Sequence, residues 1–325
     1  MMPRCRHCRK KAVIKKHWFW YCEEHFFAYY KKRIKRVLNK VRLNWKKILV
    51  ATSWGKDSQA LLDVLVDLKS QYWYELEAVF IKLAETRWDN QVKNQFVEFV
   101  SKALEAVENL TGKLWVKLNI LNLQNIAGKS LPDIVFENGG KACSICGTLK
   151  RYFLNKFAFE NWFDYIATGH NLTDNVIFIK QNIIATKYED IYKNILYVLP
   201  GDRDLKLVSK IRPQFWIEEE DNVWYCKLKD IKYVSSDNAC PLKDVLARKS
   251  QWNTHLIVQE FVEKLSEKFD YARKFMEFLR KNLKEDGYDL AKIKKSELMK
   301  ECKICGYPTA SHSGICRVCR LLFNN

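Results

Sequence analysis

The sequence predicts an α/β protein with a doubly wound parallel sheet, flanked by a small zinc module at each end. Three observations predict it. Short apolar runs at 48–51, 77–83, 114–120 and 165–168 read as buried parallel strands. Stretches with a helical apolar period separate them, and that alternation is the mark of a parallel sheet with helical crossovers. Finally, paired cysteines two residues apart crowd both ends of the chain, where they build tetrahedral metal sites.

A chain of 325 residues is long enough for a substantial core and one or two small appendages. No apolar run approaches the roughly 20 residues of a membrane helix. No signal-peptide pattern opens the sequence, so a cytoplasmic protein is expected. The charge is uneven. Residues 1–47 hold sixteen Lys and Arg against Glu23 and Glu24, which is +14 of the net +18. A basic arm interleaved with Phe, Tyr and Trp fits a polyanion better than a small metabolite, the plain alternative being a solvated basic face. Eleven cysteines in a chain of this kind argue for metals rather than disulfides.

In chain order, Cys5-x2-Cys8 and Cys22-x2-His25 supply two ligand pairs, enough to close a tetrahedral zinc site with no open position. Its task is then structural, and so small a module depends on its metal. His7 and His17 lie off this spacing and read as surface residues. A helix follows from Phe26 to Leu43, with Phe26, Tyr30, Ile34, Val37, Leu38 and Val41 on one face. Lys31, Lys32, Arg33, Lys35, Arg36 and Lys40 cover the rest and suit phosphate contacts.

The strand at 48–51 runs into Ser53-Trp54-Gly55-Lys56-Asp57-Ser58 and then a helix. Such a strand, tight polar turn and helix gather backbone N–H groups at a helix N-terminus, a ready phosphate site. The spacing is not that of a Walker loop. The end of the second strand, near Ile81, is a lip for an adenine. A long helix from Asp89 to Leu110 and a strand from Leu114 to Ile120 follow. Cys143 and Cys146 then open a further helix, with Lys150 four residues on, an arrangement suiting a cluster or a reactive pair. Their partner lies far along the chain, at Cys226 or Cys240. The fourth strand ends in Gly169-His170-Asn171-Leu172-Thr173-Asp174, which this architecture turns toward the ligand crevice. His170 reads as structural and Asp174 as the catalytic candidate, since a carboxylate can hold magnesium or position a nucleophile. Beyond an acidic run at 218–221, residues 223–226 read as a strand and Asn238-Ala239-Cys240-Pro241 as a rigid turn. Residues 242–285 read as helical. Cys302, Cys305, Cys316 and Cys319 close the chain as a second zinc site.

In this order the motifs resemble the zinc-bearing tRNA 2-thiouridine synthetases, the TtuA-like branch of the PP-loop ATP pyrophosphatases, over essentially the whole chain. The resemblance implies five segments: a zinc module (1–26), a basic helix (27–47), a PP-loop domain with an iron–sulfur site (48–241), a helical region (242–298) and a zinc ribbon (299–325). It implies ATP bound by Ala51, Ser53, Gly55, Asp57, Ser58, Ile81, Lys150 and Gly169, with magnesium. Cys143, Cys146 and Cys240 would hold a 4Fe-4S cluster with one iron open to sulfur. Lys150 and Asp174 would be catalytic. The implied reaction adenylates uridine O2 of tRNA, at T-loop position 54 or wobble position 34, and sulfur then displaces AMP. The sulfur would come from a ubiquitin-like sulfur carrier or from sulfide, and the family often forms homodimers.

Three letters depart from the pattern. Trp54 stands at the first glycine of S-G-G-x-D-S, where an indole clashes if φ is positive. Thr173 replaces the first of two aspartates, and Gln214 the leucine of Arg-Pro-Leu. Cys226 reads as a buried structural thiol, with a fourth cluster ligand as its alternative. Two other functions fit less of the chain: a PP-loop ligase for a small carboxylate, and a non-catalytic tRNA-binding protein with a relic ATP site.

Overall fold

The computed structural model of the chain describes residues 3–86, 90–139, 142–234, 240–242, 254–285 and 299–323. The expected helix start at Asp89, the turn residues Gly140, Lys141, Asn238 and Ala239, and residues 243–253 and 286–298 of the helical region lie outside the described residues.

A six-stranded sheet organises the chain. Its strands are β3 (Lys47–Ala51), β4 (Glu75–Lys82), β5 (Leu118–Asn122), β6 (Tyr165–Ala167), β7 (Val198–Leu199) and β8 (Ser209–Ile211), in the order β5-β4-β3-β6-β8-β7. All pairs are parallel except β7 with β8. The chain builds outward from β3 to β4 and β5, then returns to lay β6 on the other side of β3. That reversal opens a crevice at the carboxyl ends of β3 and β6, the ligand position of doubly wound sheets. Alternation along β3 fixes the two layers, because Leu49 joins one buried cluster while Ile48 and Val50 join the other.

Around the sheet lie α1 (Glu23–Leu38), α2 (Lys56–Tyr72), α3 (Gln91–Lys113), α5 (Leu131–Asn138), α6 (Ala142–Glu160), α7 (Leu172–Ile184) and α9 (Glu219–Leu228). The short helices α4 (Leu123–Ala127) and α8 (Tyr188–Ile195), and the pair α10 (Thr254–Lys268) and α11 (Tyr271–Glu285), complete the described helices before the C-terminal ribbon. The hairpin β1 (Ile14–Lys16) and β2 (Phe19–Tyr21) belongs to the N-terminal module. In the C-terminal ribbon, β9 (Lys300–Glu301) pairs with β10 (Pro308–Thr309), and a closing helix spans Arg317–Phe323. No helix among the described residues is long and apolar enough to cross a membrane.

Several expectations change. Residues 223–226 are helical, within α9, because Glu218 and Asp221 form a reciprocal capping box and the acidic run supplies its first turn. The strand expected from Leu114 begins at Leu118, since α3 continues to Lys113 and the chain must turn back at Trp115. Helix α1 ends at Leu38, five residues before the expected Leu43, and Val41 packs at the margin of the core instead of on the helix.

The basic face of α1 is partly engaged within the protein. Lys31 meets Asp67 at 2.6 Å, Arg33 donates to the Trp216 carbonyl at 2.9 Å, and Arg36 lies over the Trp216 ring. Lys32 and Lys40 stay exposed. Nor is His17 a free surface residue: its Nε2 is 3.1 Å from Glu218, which also meets the buried Lys16 ammonium at 2.9 Å. Lys16 reaches Asp221 at 3.1 Å as well. Burial opposes that ammonium, but Asp221 and Glu218 outweigh it and hold its pKa above the ordinary range. Lys16 thus bolts the N-terminal module to α9. Lys16→Ala leaves two buried carboxylates without their cation and is expected to cost about 3–5 kcal/mol, read by urea unfolding.

Candidate active site

The turn after β3 is held by its own serines. Ser58 Oγ accepts from the Ser53 N–H at 3.0 Å and lies 2.8 Å from Ser53 Oγ, while Gln59 Nε2 donates to the Ser53 carbonyl at 2.8 Å. Helix α2 starts from Gly55 with no side-chain cap, so the first N–H groups of its helix face the crevice uncapped. The end of β6 presses on this loop. A Cβ at Gly169 would stand 3.1 Å from both the Asp57 carbonyl carbon and the Ser58 nitrogen, so only glycine fits without moving the phosphate turn.

Ala51, Ser53, Gly55, Asp57, Ser58, Ile81, Lys150 and Gly169 all line one cleft of about 370 Å³. The eight positions expected to contact ATP therefore converge, from β3, α2, β4, α6 and the end of β6. Trp54 also lines it. Its backbone is not left-handed, which removes the expected clash. Its indole packs edge-on against Phe99, and Lys150 Nζ lies 4.5 Å above the ring.

A buried polar network supports the loop from behind. Gln214 Nε2 donates to the Asp57 carbonyl at 3.0 Å, to Tyr30 OH at 2.9 Å and to Asn222 Oδ1 at 3.1 Å. Asn222 and Asn171 donate to Asp57 Oδ1 at 2.6 and 3.2 Å. The departure at Gln214 is thereby explained: it ties α1 and α9 to the phosphate turn, which leucine could not do. Residue spacing gave no sign of this, because Tyr30, Gln214 and Asn222 are far apart in sequence.

Charge gathers at the mouth. Asp174 caps α7 reciprocally with Asn171, so it is a helix cap as well as a candidate catalyst. Burial, then the charges of Asp57 and Glu219, push its carboxyl up to about 7. Burial likewise raises Asp57. Lys56 Nζ sits 2.7 Å from Glu219 and 3.6 Å from Asp57. Thr173 is no substitute carboxylate: its hydroxyl accepts the Glu219 N–H at 3.3 Å. Glu219, read in the sequence only as part of an acidic run, instead brings a third carboxylate beside Asp57 and Asp174. His170 reaches solvent, yet the packed rim desolvates it and Arg212, Arg151 and Lys210 surround it, holding it at about 4 and so neutral. Its Nδ1 is 2.9 Å from Thr168 Oγ1.

Helix α6 joins this cleft to the central thiols. Cys146 and Lys150 are one turn apart, so the ammonium favours the thiolate, and Cys240 lies close enough to feel the charges of Cys146, Cys143 and Lys150. Cys226 does not join them. It is buried in the opposite core layer and donates to the Lys56 carbonyl at 3.5 Å, a structural thiol.

The terminal thiols meet a sharper geometric test. Zinc–sulfur bonds of about 2.3 Å in a tetrahedron set sulfur–sulfur edges near 3.8 Å. Cys8 to Cys22 is 3.6 Å, Cys302 to Cys319 is 3.8 Å, and Cys305 to Cys316 is 3.7 Å. Cys5, Cys8, Cys22 and His25 keep all four ligand atoms within 4.8 Å of one another, as do Cys302, Cys305, Cys316 and Cys319. Both sets fit a single tetrahedral ion. Among the described residues, Cys143, Cys146 and Cys240 form no such tight group. The ribbon also props up α6: Arg317 donates to Ser144 Oγ at 3.0 Å and Tyr307 to Glu160 at 3.1 Å.

No family model matches the chain. Individual relatives do. The tRNA-5-methyluridine(54) 2-sulfurtransferase of Thermotoga maritima is 31% identical over 325 aligned positions, covering 98% of this chain and 95% of the relative. This chain belongs to the tRNA 2-sulfurtransferase family. The family's enzyme of the same description from Pyrococcus horikoshii is also 31% identical, covering 98% of this chain and 93% of its own. Among solved structures, the U34-tRNA thiolase NcsA of Methanococcus maripaludis with its 4Fe-4S cluster has the same fold, at a TM-score of 0.75 and 22% identity, covering 100% and 97% of the two chains. The sulfurtransferase fold thus carries PP-loop chemistry here as an enzyme, with two cysteine-rich sites at its ends.

Gln214→Leu strips the Asp57 carbonyl, Tyr30 and Asn222 of one donor. It is expected to cost about 1–3 kcal/mol in urea unfolding and to weaken ATP binding measured by calorimetry.

Proposed function

We propose that the protein is an ATP-dependent tRNA sulfurtransferase that thiolates C2 of the T-loop uridine at position 54, the position named in its 31%-identical relatives, which are 5-methyluridine(54) 2-sulfurtransferases. One observation carries the reading: α6 delivers Lys150 into the cleft and presents Cys146 one turn and Cys143 two turns earlier. A nucleotide-sized cleft and a thiol cluster therefore share one wall.

Ser53, Gly55 and Ser58 would hold the ATP phosphates through the turn and the α2 N-terminus, with Ile81 beside the adenine. Asp57, Asp174 and Glu219 repel one another, and magnesium accompanying ATP would relieve that repulsion. Uridine O2 attacks the α-phosphorus and its bond to pyrophosphate breaks. Sulfide then adds at C2, the C2–O bond breaks and AMP departs, and the sulfur loses its proton so that C2=S forms with N3–H retained. Lys150 would stabilise charge on the adenylated oxygen. Cys143, Cys146 and Cys240 would hold a 4Fe-4S cluster, which supplies an open iron able to carry sulfur. The donor would be a sulfur-carrier thiocarboxylate or sulfide. Exposed Lys32 and Lys40 and the neighbouring arm would meet tRNA phosphates. The cytoplasm fits this substrate, and a relative in Chlamydomonas reinhardtii is named a cytoplasmic tRNA 2-thiolation protein.

Incubating the anaerobically reconstituted protein with unmodified tRNA, ATP and sulfide should give 2-thiouridine, mapped by nuclease fragments and mass spectrometry to the T-loop. A product in the anticodon would reassign the target, and no product would remove the proposal. Asp174→Asn should lower thiolation by at least about a hundredfold, within the usual range for such groups, while tRNA affinity stays unchanged. Because the active form is the ionised one, wild-type kcat/KM should fall about tenfold per pH unit below about 7. Elemental analysis should find two zinc ions per chain, and a chelator that removes them should lower the melting temperature.

A further inference from the structure

Trp45, Trp73, Trp115 and Trp162 lie two or three residues ahead of β3, β4, β5 and β6, on the sheet edge away from the cleft. All four have left-handed backbones, with φ of 60°, 53°, 54° and 59°. They are 82%, 62%, 95% and 77% exposed. Only nine described non-glycine residues are left-handed, and four of them are tryptophan. This conformation crowds Cβ against the following carbonyl, and glycine is the residue that enters it freely. Helix-to-strand turns of this kind commonly end their helices on such a glycine. Trp73 is the left-handed cap of α2, its N–H returning to the Lys69 carbonyl.

The exposed indoles gain too little to justify the conformation. Trp45 and Trp73 touch each other obliquely and Arg203 approaches Trp162, but none enters the core. Nor does the row form a cationic platform for a polyanion, because Lys46 is paired with Asp164, and Lys47 and Lys117 with Glu77. Trp216 contrasts with them: it is 3% exposed and packed between Phe215 and Arg36. A fifth tryptophan, Trp54, occupies a glycine position of the phosphate turn. Composition agrees, since the chain has eleven glycines among 325 residues, about half the usual share of about 7%, and as many tryptophans.

We infer that positions 45, 54, 73, 115 and 162 are glycine in the protein its own cell makes, the codon read here as tryptophan being decoded there as glycine. UGA is such a codon, since its meaning differs between genetic codes. At four positions the inference rests on backbone geometry alone. At position 54, whose backbone is not left-handed, it rests instead on the ATP reading: without the indole, Lys150 loses its ring contact and turns to the nucleotide, and the loop gains its second glycine.

The test is to read the gene's codons at its tryptophan positions and to sequence, by mass spectrometry, peptides of the protein purified from its source cells. UGA at the five positions, UGG at Trp216 and glycine-bearing peptides are expected. UGG throughout, or tryptophan in those peptides, would overturn the inference. Two recombinant variants separate its parts. Replacing Trp45, Trp73, Trp115 and Trp162 together by glycine should raise the melting temperature, and a fall would count against decoding as glycine whatever the protein binds. Trp54→Gly should tighten ATP binding severalfold. Unchanged or weaker ATP binding, with the four-site variant stabilised, would fault the ATP reading at Lys150 and leave the decoding in place.

Discussion

The close approach of β6 to the phosphate turn is the constraint on which the rest depends. Gly169 lies against the backbone of Asp57 and Ser58 with no room for a side chain. That contact exists because the chain reverses direction around β3 and lays β6 beside it. It sets the width of the crevice, brings the capped end of α7 beside the loop, and sets Asp174 near Asp57. A fold without the reversal would have no crevice at that point.

Around this contact the protein concentrates like charges and then surrounds them with neutral donors. Asp57 takes hydrogen bonds from Asn171 and Asn222, and Gln214 fixes the same residue through its carbonyl. Lys56 is the cation paired with Asp57, and Glu219 shares it. Under the proposed function, magnesium arriving with ATP would relieve the repulsion among Asp57, Asp174 and Glu219. The cost of that arrangement is offset by the buried network linking α1, α9 and the loop.

Much of this was legible in the sequence, and the remainder was hidden for identifiable reasons. The parallel strands and the paired ligands of the two terminal sites follow from local patterns, because hydrophobic period and ligand spacing are local properties, whereas the positions that line the cleft were expected from the family resemblance. The helix at 223–226 was missed since its aromatic, β-branched letters favour a strand, and the capping box of Glu218 and Asp221 overrides them. Glu219 and Gln214 were invisible as site residues because their partners, Lys56, Asp57 and Tyr30, lie more than 150 residues away in sequence. His17 was misread for the same reason, its carboxylate partner being Glu218. Long-range pairing leaves no periodic trace.

The central claim is that the uridine oxygen leaves on the nucleotide, which is what separates an adenylating sulfurtransferase from a protein that only binds tRNA and ATP. The most direct measurement uses tRNA carrying heavy oxygen at C2 of its uridines, with ATP and sulfide, and reads the AMP by mass spectrometry. The account predicts AMP that carries the heavy oxygen in amounts equal to the 2-thiouridine formed. Thiolated tRNA accompanied by unlabelled AMP would contradict it.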